Sequence, residues 1–148
     1  SIIEYGIVKT FHVVNRGSQD ITKNIAQSSV ISFNEAEKLK REVGLDRSKN
    51  IEVAKIVESS FNFIFSETSV VVLNYEKKYN KSISKVILSG GGALTKGLLE
   101  KATTNFTVEV VFGNSFGKTE APAFLGSVLE KSGPEFAVAV GLALRSLQ

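Results

Sequence analysis

The sequence contains no cysteine, no methionine and a single histidine, His12. Without thiols there are no disulfides and no thiolate metal sites, and one imidazole is too little material for a zinc or non-haem iron centre. The missing thiols fit a reducing compartment. No run of about 18 or more apolar residues occurs, and the N-terminus lacks a basic stretch followed by an apolar one, so the sequence reads as soluble, with neither a membrane span nor a signal peptide. Methionine is absent even at position 1, which is read most simply as a fragment of a longer chain. A strong basic stripe is missing too. The net charge is +3, but Lys and Arg are spread from Lys9 to Arg145 without interleaved aromatics, which argues against a nucleic-acid partner.

What is present is ordinary globular material: 148 residues, 43% hydrophobic and 22% charged, one domain's worth with enough apolar side chains for a core. Ser1 to Val14 predicts a β-hairpin turning at Tyr5-Gly6, with His12 in its second strand. Two strands alone are marginal, which points to further sheet upstream. After the polar turn Asn15 to Gln19, a short helix is expected over Asp20 to Gln27 with Ile21 and Ile25 on one face. Ser32-Phe33-Asn34-Glu35 matches a capping box, and the helix it opens carries Ala36, Leu39 and Val43 before stopping at Gly44. From Ile51 to about Tyr79, Ala54, Val57, Phe61, Ile64, Thr68, Val72, Tyr75 and Tyr79 recur every three or four residues, so one long amphipathic helix fits.

The second part of the chain is organised around Val86 to Leu98. A strand, Lys85 to Ser89, runs into Gly90-Gly91-Gly92, then a helix over Gly97 to Thr104 and a strand over Thr107 to Phe112, which implies two parallel strands joined by a right-handed crossover. Ligands in such sheets sit at the carboxyl ends of strands, where this turn falls. Three glycines in a row let a flat or anionic ligand approach the backbone, and they equally suit a tight corner with no ligand. Spacing excludes two sharper motifs. Four residues on from Gly92 stands Gly97-Leu98-Leu99 rather than Gly-Lys-Ser/Thr, and Thr95 occupies the third glycine position of the dinucleotide fingerprint. Pro122 to Leu129 is expected to hold a short helical turn, and Pro134 opens a slim final helix over Glu135 to Leu147.

Gly113-Asn114-Ser115-Phe116-Gly117 matches the GxSxG nucleophile elbow, yet no Asp follows Asp46 and His12 lies upstream, so the triad of that fold is absent. Glu37 and Lys40, three apart on the capped helix, share a face, and on spacing alone they suit a solvated ion pair.

Taken together, the segments resemble the C-terminal half of the bacterial actin-like ATPases, most closely the PilM proteins of type IV pilus assembly, with the FtsA proteins of cell division next. The ending Pro134-Glu135-Phe136-Ala137-Val138-Ala139-Val140-Gly141-Leu142-Ala143-Leu144-Arg145 is the most specific match. Leu88 to Ala93 with Gly97-Leu98 is similar to the family's adenosine motif, and Ala36 to Lys40 to the helix whose Glu-x-x-Lys pair approaches ribose and base. The sequence departs from the family at Arg16 to Asp20, where relatives often have Gly-Gly-Asp, and at Lys96, where proline is common.

The resemblance implies an α/β, ribonuclease-H-like half (subdomains IIA and IIB) with a mixed sheet flanked by helices. Residues 1–148 would form the C-terminal half of an actin-like ATPase domain, with residues 18–80 as the helical subdomain and 1–17 plus 81–148 as the sheet-containing one. It implies ATP with Mg2+ as cofactor in the full-length protein. The binding residues would be Gly90, Gly91, Gly92 and Ala93 on one side and Glu37 and Lys40 on the other. The family's phosphate-binding loops have no counterpart here, so ATPase activity is expected only of a full-length protein, and no catalytic residue or metal ligand is assigned. Implied partners are inner-membrane pilus assembly proteins, the N-terminal half of the same protein and further copies of it. The implied location is cytoplasmic, peripheral at the inner membrane face without insertion. Two other roles stand beside this one: a scaffold with a non-hydrolysing site, and an FtsA-like cell-division protein.

Overall fold

The computed structural model describes residues 1–146, which fall into two compact units, one ending at Ile83 and the other beginning at Ser84. In the first unit, β1 (Ile2–Glu4) and β2 (Ile7–Thr10) pair antiparallel. Tyr5 and Gly6 both take positive φ, 51° and 77°, as a two-residue turn twisted to suit the strands requires. The strands stop earlier than the alternation of apolar residues suggests. His12 is not in β2 but in an irregular segment, with Nε2 3.6 Å from a carboxylate oxygen of Glu67. The Arg16 guanidinium lies over the Phe63 ring at 4.3 Å, so this segment is strapped to the long helix at two points one helical turn apart.

Three helices make the core of this unit. α1 (Ser18–Ser29) starts two residues before the predicted Asp20, because Asp20 is its third residue and its carboxylate accepts the Gly17 N–H at 2.8 Å. α2 (Phe33–Val43) opens on the expected capping box: Ser32 Oγ accepts the Glu35 N–H, and Glu35 accepts the Ser32 N–H. α3 (Ile51–Tyr79) is one unbroken helix of 29 residues, as its period predicts, opened by Asn50, whose side chain accepts the N–H groups of Glu52 and Val53. α1 packs on α2 and on α3, and Ile21, Ile25, Ala36, Val43, Val53, Ala54, Val57, Phe61 and Phe65 are buried among them.

Among the described residues α3 is the one helix long and apolar enough to cross a bilayer, with an 18-residue window of mean hydropathy 1.3. Core helices of soluble proteins meet the same criterion. Ser60, Asn62, Ser66, Glu67 and Thr68 interrupt its apolar run, and its N-terminal half is the floor on which α1 and α2 sit.

In the second unit β3 (Lys85–Leu88) and β4 (Glu109–Phe112) pair parallel, Lys85 opposite Glu109 through Leu88 opposite Phe112, with α4 (Leu98–Asn105) as the crossover. The ion pair Lys85–Glu109 at 2.9 Å closes the start of the ladder. The two sheets are therefore small, one antiparallel and one parallel, rather than a single mixed sheet. α5 (Gly126–Ser132) follows a 3-10 turn at Ala123–Leu125, and α6 (Ala137–Arg145) begins two residues after the predicted Glu135, since residues 133–136 are spent on a turn. The predicted end of that last helix at Leu147 lies outside the described residues.

Candidate functional site

The glycine turn sits at the carboxyl end of β3, and its three glycines are not equivalent. Gly90 has φ 89° and ψ 163°, a region closed to side-chain-bearing residues, and its N–H donates to the Pro134 carbonyl at 2.7 Å. This one residue makes the corner. Gly91 and Gly92 then enter a 3-10 turn (Gly91–Leu94) without positive φ, and a Cβ on either would meet no atom within 4 Å. The fold alone does not demand glycine there; what those two residues preserve is bare backbone under open space. Ala93, by contrast, is buried and its N–H donates to the Gly90 carbonyl at 3.0 Å, anchoring the turn from below.

The turn is braced by its neighbours in the same unit. Gly113, just past β4, donates its N–H to the Leu88 carbonyl at 2.8 Å, so both strand ends are locked at the same level. Ser115 Oγ donates to the Gly133 carbonyl at 2.6 Å, which fixes the Gly133-Pro134 turn whose carbonyl receives Gly90. That bond also disposes of the GxSxG match in physical terms: the hydroxyl proton goes to a backbone carbonyl, and Ser115 acts as a loop brace.

In the first unit Glu37 and Lys40 are brought together, but not as a solvated surface pair. Lys40 is 6% exposed, and its Nζ has four acceptors for three protons: Ser18 Oγ at 2.6 Å, Glu37 Oε2 at 2.7 Å, Thr22 Oγ1 at 2.8 Å and the Ser18 carbonyl at 3.1 Å. Thr22, fully buried, carries one hydroxyl proton, and the charged Glu37 Oε2 at 2.6 Å outcompetes the Ser18 carbonyl at 3.0 Å for it. Arg41 Nε donates to the other carboxylate oxygen, Glu37 Oε1, at 2.9 Å. The Glu37 side chain remains 29% exposed, so one carboxylate carries a buried network behind it and a solvent-facing side in front. Residues Thr22, Ser18 and Arg41 are the ones sequence reading missed. Arg41, at i+4 from Glu37, was open to the same spacing rule that found Lys40.

Burial alone would raise the Glu37 pKa, but the hydrogen bonds from Lys40, Thr22 and Arg41 outweigh it and hold the carboxyl at about 2 against an ordinary 4.5. A carboxyl lowered on folding stabilises the fold above its unfolded pKa and loses that contribution as pH falls through the folded one. Glu37→Gln should therefore cost about 1–2 kcal/mol near neutral pH, allowing for solvent screening of a partly exposed group. In urea titrations at a series of pH values that difference should shrink progressively between about pH 4.5 and 2; a difference independent of pH would remove the charge from the explanation.

Residues 11–147 match the family model of the type IV pilus assembly protein PilM. The chain belongs to that family. As a PilM-family chain it is also similar to a solved chain of a PilM-PilN type IV pilus biogenesis complex, at 26% identity and a TM-score of 0.73, covering 87% of this chain and 36% of that one. It thus spans roughly a third of the length of the solved chain it matches. No curated protein matches it. The fold class implied by the resemblance, α/β of the actin-like ATPase type, is the one the structure has.

Proposed function

We propose that this chain supplies the adenosine side of an ATP site in a PilM-family protein of type IV pilus assembly, working at the cytoplasmic face of the inner membrane. The observation that carries the reading is the open space over Gly91 and Gly92. A bare corner needs only Gly90, whereas a seat for a flat base needs the two glycines after it as well. In this reading the turn from Gly90 to Ala93 presents backbone to adenosine, and Glu37, kept ionised, is able to accept hydrogen bonds from ribose hydroxyls. These contributions come from different units, and each rests on the geometry of its own unit. Lys40 spends its protons inside the first unit, so its part is to hold Glu37 from behind rather than to reach a phosphate.

Bound ATP would bring a transferable phosphoryl group, which requires magnesium held by carboxylates and a positioned water. No residue of this chain is assigned to those roles, and phosphate loops and any hydrolysis are proposed for the rest of a longer protein.

Gly91→Leu tests the reading cleanly, since the backbone conformation tolerates a side chain and nothing lies where it would go. In the full-length protein, isothermal titration should show ATP binding weakened by about tenfold or more through steric exclusion, with an unchanged melting temperature. Unaltered ATP affinity would sink the proposal.

The second reading is a scaffold that holds inner-membrane partners whatever its nucleotide state, favoured by the similar solved chain coming from a PilM-PilN complex. Pilus assembly that survives Gly91→Leu while ATP binding is lost would favour it.

A further inference from the structure

Thr22 is the most deeply buried polar group next to Glu37, and its place in the network is specific. It is fully buried on α1, with Ile21 and Ile25 beside it, and its hydroxyl is a neutral donor to Glu37 Oε2, at 2.6 Å. The Thr22 Oγ1 atom also accepts from Lys40 Nζ at 2.8 Å, so it links the cation to the carboxylate on a second path. Lys40 alone binds Oε2 through a long, flexible stem, whereas Thr22 stands on a rigid helix turn with a restricted χ1. Thr22 and Lys40 both donate to Oε2 while the exposed Arg41 donates to Oε1, so the carboxylate is held at both oxygens, and Thr22 is the donor that stands on a rigid, buried turn.

We infer that Thr22 is a positioning residue for nucleotide recognition: through the hydrogen bond to Glu37 Oε2 it pins the inner oxygen of the Glu37 carboxylate and so the aim of its exposed side toward ribose hydroxyls. The inference rests on the proposed adenosine site. It adds that ribose selectivity is set from α1, one layer behind the residue that touches the ligand. Among the described residues no buried side-chain polar atom lacks a partner, so removal of the Thr22 hydroxyl leaves a defined deficit: Oε2 loses a donor and Lys40 an acceptor.

The experiment is isothermal titration of ATP and 2′-deoxy-ATP into the full-length protein and its Thr22→Val, Thr22→Ser and Glu37→Gln variants, with melting curves alongside. Thr22→Val keeps the shape and removes the hydroxyl. It should weaken ATP binding by about tenfold and bring the ratio of ATP to 2′-deoxy-ATP affinity close to one, while Thr22→Ser stays within about twofold of the parent on both counts. An equal loss for both nucleotides, with the ratio unchanged, would show a merely structural Thr22 and overturn the inference. So would parental behaviour of Thr22→Val beside an altered Glu37→Gln. If Glu37→Gln itself binds both nucleotides as the parent does, Glu37 does not meet the ribose, and the adenosine reading falls together with the inference.

Discussion

Lys40→Met should lower the unfolding free energy by about 2–4 kcal/mol, while Lys38→Met on the same helix changes it by less than about 0.5 kcal/mol. Both substitutions remove one charge from α2, but Lys38 is exposed and Lys40 is enclosed by Ser18, Thr22 and Glu37. Methionine fills nearly the same volume without a proton to give. The cost is therefore not a cavity; it is the buried Thr22 hydroxyl and the inner oxygen of the Glu37 carboxylate left short of a donor, while the hydroxyl of the exposed Ser18 can turn to water. The estimate sits at or below the range for a fully buried pair because Glu37 keeps 29% of its side chain exposed and can draw in solvent. A second variant separates charge from packing. Glu37→Met with Lys40→Met removes both partners and should recover most of the loss, because a matched apolar pair carries no desolvated charge. Denaturant unfolding of the four proteins measures this directly. A double variant as unstable as Lys40→Met alone would assign the effect to packing.

Lys40 also marks where reading the sequence stops being enough. α2 was legible because its signal is local: Ser32 and Glu35 lie three apart and bond each other's backbone. α3 was legible from period alone, since no Gly or Pro breaks the recurrence from Ala54 to Tyr79. The parallel pairing of β3 and β4 followed from strand, crossover and strand in that order. By contrast, Lys40 and Ser18 are 22 positions apart and on different helices, so spacing could say that Glu37 and Lys40 share a face but not that α1 closes over it. The inequality among the three glycines was hidden for a similar reason. Only backbone conformation shows that Gly90 is spent on the corner while Gly91 and Gly92 are not. His12 moved out of β2 because apolar alternation continues past the last paired residue, Thr10, and pairing rather than pattern ends a strand.

Ile25→Ala carries the other large expected effect, a loss of about 3–4 kcal/mol, against about 1 kcal/mol for Ile25→Val. Ile25 is completely buried on the face of α1 that meets α2 and α3. Its surroundings are backbone-bound helices with little freedom to collapse, so the atoms removed leave a cavity as well as a lost transfer energy. Ile25 stands three residues after Thr22, on the same side of α1. The apolar contact and the polar tie to Lys40 consequently hold the same helix in place, one from each end of a single turn, and neither keeps its full worth once the other has let α1 shift. In a double-mutant cycle, Ile25→Ala with Lys40→Met should show a coupling of more than about 0.5 kcal/mol, outside what independent sites give. A coupling below about 0.3 kcal/mol would mean that core and network act separately. In that case the aim of the Glu37 carboxylate would depend on its own hydrogen-bond donors and not on the core, and Ile25→Ala would leave the proposed preference for ATP over 2′-deoxy-ATP untouched. With coupling present, that preference should fall in Ile25→Ala as well, because α1 carries Thr22 and any drift of the helix turns the carboxylate with it.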